Sequence, residues 1–134
     1  MKTTPLYVLP FLGLLSLASL PALAETTAPP LSLRCGGIGS DESAAMLAEG
    51  KQQSLTLLFV THDGHYISDV HTRIESIKGE PLAEQACGPI GLVQVTAPGR
   101  YKIKASLGGQ QQEKTLTLKP SGGARLVLRW QAPE

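Results

Sequence analysis

The sequence predicts a mainly β protein, a sandwich or barrel of many short strands, with one short helix near its N-terminus. Three observations lead there. From Gln53 onward apolar residues recur at every second position. Turn residues punctuate these runs at regular intervals, at Pro98-Gly99, Gly108-Gly109 and Ser121-Gly122-Gly123. Helical spacing is confined to the stretch before Gly50.

The strands follow in chain order. Ser54 to Thr61 reads as a strand, apolar on both faces near its centre. Val70, Thr72 and Ile74 alternate with Asp69, His71, Arg73 and Glu75. The clearest alternation runs from Arg100 to Leu107. Tyr101, Ile103, Ala105 and Leu107 should face the core, and Arg100, Lys102 and Lys104 should face water. Leu116 and Leu118 continue the pattern, as do Leu126, Leu128 and Trp130. Gly108-Gly109 lies between two alternating runs and predicts a hairpin.

The helix is predicted over Asp41 to Glu49. Ser40 stands where an N-cap belongs, and Asp41 and Glu42 meet the positive end of the helix dipole. Ala44, Leu47 and Ala48 have the spacing of a buried face, and Gly50 is placed to stop the helix. Upstream, Thr26-Thr27-Ala28-Pro29-Pro30 reads as an extended tether, because proline fixes φ and lacks an N–H.

The first residues read as an export signal. Lys2 supplies a positive start, Leu6 to Leu20 is almost wholly apolar, and Ala22 and Ala24 form the small-x-small pattern of a cleavage site before Glu25. The run is short for a membrane span, which needs roughly 20 apolar residues. Arg34 before Cys35 speaks against lipid attachment there. The organisation expected is therefore 1–24 signal peptide, 25–34 linker, 35–52 glycine-rich lead-in and short helix, and 53–131 β-sandwich domain. The expected location is periplasmic or secreted, with no stable membrane insertion after cleavage.

Composition narrows the partners. Without Lys2 the chain has eleven basic and eleven acidic side chains, so no net charge steers it to nucleic acid or an anionic membrane. An unidentified protein partner is the class left open.

Thr96-Ala97-Pro98-Gly99-Arg100-Tyr101-Lys102-Ile103-Lys104-Ala105 resembles the proline-glycine-x-tyrosine strand entry of carboxypeptidase-regulatory-like domains, which are transthyretin-like, or prealbumin-like, β-sandwiches. Asp63-Gly64 before Ile67-Ser68-Asp69-Val70, and Gly91-Leu92-Val93-Gln94-Val95 before the proline-glycine turn, are similar to the same module. The resemblance covers Leu55 to Trp130. It implies seven strands in two sheets, usually no catalysis, and an accessory role beside other proteins. The hydrolase lineage of this fold ends in a tyrosine-arginine-glycine-serine motif, whereas this chain ends Leu128-Arg129-Trp130-Gln131-Ala132-Pro133-Glu134.

Few residues suggest chemistry. His62, Asp63 and His65 form the one candidate metal or small-ligand cluster. Closed as an Asp-Gly hairpin, it would bring the two histidine Cα atoms within about 5.5 Å. In that hairpin His71 would share the face but lie six residues along, roughly 20 Å away. The resemblance instead makes Asp63-Gly64 a corner between sheets. Two histidines are too few for a closed metal site, so no resident metal or cofactor is expected. The glycines Gly36, Gly37 and Gly39 lack the preceding strand and following lysine of a phosphate loop. Nucleophile motifs are absent, so no catalytic residue is assigned. The Arg100, Lys102, Lys104 row reads as a solvated strand face, with an acidic polymer as the competing ligand. Cys35 and Cys87 are the only cysteines, and export would carry them to an oxidising compartment, so a disulfide between them is expected. Buried free thiols and a two-cysteine metal site are the alternatives. The bond would staple the helix-bearing segment to the sandwich. The functional expectation is a non-catalytic exported module acting through protein or ligand binding, with a metal or small-ligand binder at His62, Asp63 and His65 as its rival.

Overall fold

The computed structural model describes residues 30–131; the expected signal peptide and cleavage site lie outside them. The elements in order are β1 (Leu31–Gly36), α1 (Ser40–Gly50), β2 (Leu55–Thr61), β3 (Val70–Ser76), β4 (Pro81–Cys87), β5 (Ile90–Val95), β6 (Gly99–Leu107), β7 (Gln110–Leu118) and β8 (Ala124–Trp130). They form two four-stranded sheets, one in the order β1-β5-β2-β8 and the other β4-β3-β6-β7. All pairings are antiparallel except β2 with β8, which is parallel.

Seven strands were expected, and residues 53–131 hold seven; the eighth, β1, occupies the stretch read as linker and lead-in. Leu31, Leu33 and Cys35 turn toward the core opposite Val95, Val93 and Gly91 of β5. Prolines before this alternation and glycines after it mask a strand only six residues long.

Between the sheets lies one large core, with Leu57, Phe59, Ile74, Ile103, Leu128 and Trp130 almost fully buried. Phe59 and Trp130 stack with ring centroids 6.1 Å apart. Tyr101 is buried, and its hydroxyl donates to the Ala97 carbonyl at 2.8 Å across the Pro98-Gly99 turn. The Gly108-Gly109 hairpin joins β6 and β7 in register from Leu107–Gln110 to Gly99–Leu118. Leu116 and Leu126, expected in the core, are half-buried. Arg100 is exposed as expected, whereas Lys102 and Lys104 keep only 25% and 31% of their side-chain surface.

Every residue of β2 is buried: α1 covers its outer face at Thr56 and Leu58, and the returning chain at Tyr66 covers Val60. Leu55, Leu57 and Phe59 face the core, while Leu58 on the other face joins Ile90, Leu92 and Met46 in a second cluster under α1. The helix therefore buries Met46 and Gly50, with Leu47 half-covered; Ala44 and Ala48, assigned to the buried face from spacing, are exposed. An alanine-rich helix has little contrast between faces, so its orientation follows the larger apolar groups beneath it. Ser40 is the first helical residue and makes no side-chain cap. Glu42 instead accepts the Gly37 N–H at 2.9 Å. At the far end Gly50 presses on Thr56, where a Cβ would collide with the threonine Oγ1.

Cys35 and Cys87 are disulfide-bonded, with Cα atoms 5.0 Å apart. The bond ties β1 to β4, the edge strands of opposite sheets, so the segment that leads into the helix is held through β1, itself a strand of the sandwich. Gly91 leaves room for it, since a Cβ there would come within 2.8 Å of Cys87 Sγ. On the same side Gln85 Nε2 donates to the Leu33 carbonyl at 2.9 Å. No helix of the described residues is long and apolar enough to cross a membrane.

Candidate functional site

The histidine loop is a tight local turn. The Thr61 N–H donates to the His65 carbonyl at 2.8 Å and the Gly64 N–H to the Thr61 carbonyl at 3.0 Å. The chain then doubles back along β2, bridging Val60 to Tyr66, before β3 enters the other sheet. Asp63-Gly64 thus closes a brief hairpin and also precedes the crossing. The Thr61 hydroxyl donates to the Asp63 carboxylate. That bond, then one from the backbone of Asp63 itself, holds the carboxyl below its usual range against a smaller opposing effect of desolvation. His65 Nε2 lies 3.8 Å from Asp63, with both side chains mostly in solvent. His71 is elsewhere, on β3, bonded to Glu84 at 2.7 Å. Among the described residues no group of three or more His, Cys, Asp or Glu side chains could hold a metal ion.

The lysine row belongs to a charged network on the outer face of the second sheet. On β3, His71, Arg73 and Glu75 share that face; on β6, Ser106, Lys104 and Lys102 stand opposite them in register. Glu75 is only 3% exposed. It accepts from Arg73 Nε at 2.6 Å and faces Lys104 Nζ at 3.3 Å. Desolvation pushes its pKa up, but the Arg73 and Lys104 donors and charges outweigh this and hold it below the usual value. Arg73 reaches Glu84 at 3.5 Å, and Lys102 reaches Glu113 at 3.8 Å. A groove of about 240 Å³ is lined by His71, Arg73, Glu75, Lys104, Ser106 and Gln111. Arg73, Lys102 and Lys104 are thus matched by Glu75, Glu84 and Glu113, while Arg100, the exposed member of the row, makes no ion pair among the described residues. Glu75 was missed in the sequence. The signal was there: opposite charges spaced by two, at Arg73 and Glu75, on a strand whose other face is apolar.

The third feature is the side of the sandwich opposite the disulfide. There β8 and β7 are the edge strands of the two sheets. Gln112 Nε2 donates to the Arg129 carbonyl at 2.6 Å across the gap. The half-buried Leu116 and Leu126 lie along these edges, on the core-facing side of their strands. Toward the Ser121-Gly122-Gly123 turn, Pro98, Leu118, Lys119 and Ala124 help line a cavity of about 350 Å³. Backbone direction on β8 follows from its ends. The Ala124 N–H donates to Ser54 at 3.1 Å, and the Trp130 carbonyl accepts from His62 at 2.9 Å. Even-numbered residues therefore turn their backbone groups to β2, and Arg125, Val127 and Arg129 turn theirs away. The chain matches no model of a known protein family and no curated protein.

Proposed function

We propose that this domain is a non-catalytic exported module that works by binding another protein, in the manner of the carboxypeptidase-regulatory-like sandwiches it resembles. One observation carries the reading: on the β7–β8 side, Leu116 and Leu126 stay only partly buried beside a strand with outward-turned backbone groups. Incompletely covered apolar side chains next to an unpaired edge are the usual substrate of strand-mediated protein contacts. The disulfide supports folding in an oxidising compartment, periplasmic or extracellular.

The test is site-specific photocrosslinking of the exported protein in its own cells. A photoreactive residue at position 127 should yield a discrete protein adduct, and one at Ala45, on the exposed side of α1, should not. No adduct from position 127, or the same adducts from both, would reject the reading. Tight zinc or copper(II) binding lost on His65→Ala would replace it with that of a metal binder.

A further inference from the structure

Resting on that reading, we infer that β8 docks an extended segment of a partner protein whose apolar and acidic side chains alternate. The four sheet edges are not equivalent. β1 and β4 are tied together by the disulfide and by Gln85 on the Leu33 carbonyl. β7 carries Lys114 on its core-facing side, opposite buried Ile103, and an inward charge blunts an edge. β8 presents Ala124, Leu126, Leu128 and Trp130 on that side, none of them charged. Its outward backbone offers the N–H and C=O of Arg125 and Val127 and the N–H of Arg129, while Gln112 occupies the Arg129 carbonyl.

Charge selects the occupant. Lys114, Lys119, Arg125 and Arg129 make no ion pair among the described residues, and Glu113, the one acid between Gln110 and Gln131, faces Lys102 on the other face. A strand added beside β8 would place alternate side chains over Leu126 and toward Leu116. The intervening ones would stand beside Arg125 and Arg129 on the outer face. Apolar residues suit the first set and carboxylates the second.

The experiment titrates the intact disulfide-bonded domain with three capped nine-residue peptides: alternating valine and glutamate, alternating valine and lysine, and a proline-interrupted form of the first. The glutamate peptide should bind at least about tenfold tighter than the lysine peptide, and Arg125→Glu with Arg129→Glu should invert that order. The proline form should not bind, because it lacks the ladder donors. Val127→Pro should abolish binding while the disulfide-bonded domain keeps a cooperative, somewhat lowered melt: the lost N–H faces outward, and the cost is the part-buried packing of Val127 on the Met46 cluster. Equal affinity for the two charged peptides, or binding indifferent to Val127→Pro, overturns the acidic-strand proposal; crosslinks from position 127 would still support protein binding in general. Concentration-dependent self-association removed by Val127→Pro would overturn it in favour of a second copy of this chain.

Discussion

Glu75 is a carboxylate on the outer face of a sheet, yet 3% exposed, because Arg73 from its own strand and Lys104 from β6 close over it. Burial alone would favour the neutral acid; two cationic donors reverse this and lower its pKa from 4.5. A pKa lower in the folded than in the unfolded state stabilises the fold above the unfolded value, and the contribution is lost as pH falls from there through the folded value. Glu75→Gln should therefore lower stability to urea at neutral pH. Its deficit relative to wild type should shrink as pH drops below 4.5. A deficit that grows on acidification would mean that desolvation dominates the site. The sequence already put Arg73 and Glu75 on one strand face. Their closure by Lys104 depends on the β3–β6 register, which pairs Arg73 with Lys104 and Glu75 with Lys102.

At the level of elements, α1 is where local pattern and packing part company. Its position was legible from Asp41, Glu42 and the alanines; its buried face was not, because Ala44 and Ala48 bury too little to compete with Met46 over Leu58 and Ile90. The contact is tightest at Gly50. Gly→Ala in a helix ordinarily stabilises by roughly 1 kcal/mol, but here the new methyl would meet Thr56 Oγ1 and lie 3.3 Å from Leu92 Cδ2. Gly50→Ala should instead cost about 1–3 kcal/mol by overpacking. The Gly50→Ala/Thr56→Ala double variant should lose less than the sum of the two single changes. A stabilising Gly50→Ala in denaturant melts would show that the helix sits farther from β2. The strands were more readable: β6 alternates as expected because one face meets the core and the other the charged network.

For the whole molecule, the two open sides of the sandwich are held differently. One is covalently closed between β1 and β4; the other is spanned by Gln112 on the Arg129 carbonyl. The disulfide joins residues 52 apart. Closing such a loop stabilises by about 4 kcal/mol in the chain-entropy model. Reduction should lower the denaturation midpoint accordingly. Amide exchange should rise first in β1 and β4, with β2 and β5 still protected. Loosening confined to α1, with β1 unaffected, would mean that the bond serves the helix and not the β1–β4 side of the sandwich. The bond was legible because the chain has two cysteines, but its role required knowing that β1 is a strand of the sandwich.

Local pattern sufficed to read the mainly β class, the β6–β7 hairpin and the inside-outside order of β6, and the cysteine count to expect the disulfide. Each rests on near neighbours in the chain or on a count: a two-residue period, a paired-glycine turn, two cysteines. Long-range packing was needed to show that Leu31–Gly36 joins a sheet, that Met46 points inward from α1, that Glu75 is covered and that Leu116 and Leu126 are covered only in part. Local periodicity determines which side chains share a face, but the neighbours that cover that face come from strands distant in sequence. For Leu116 and Leu126, the difference is that β7 and β8 end their sheets, so no further strand covers the core-facing side at that edge.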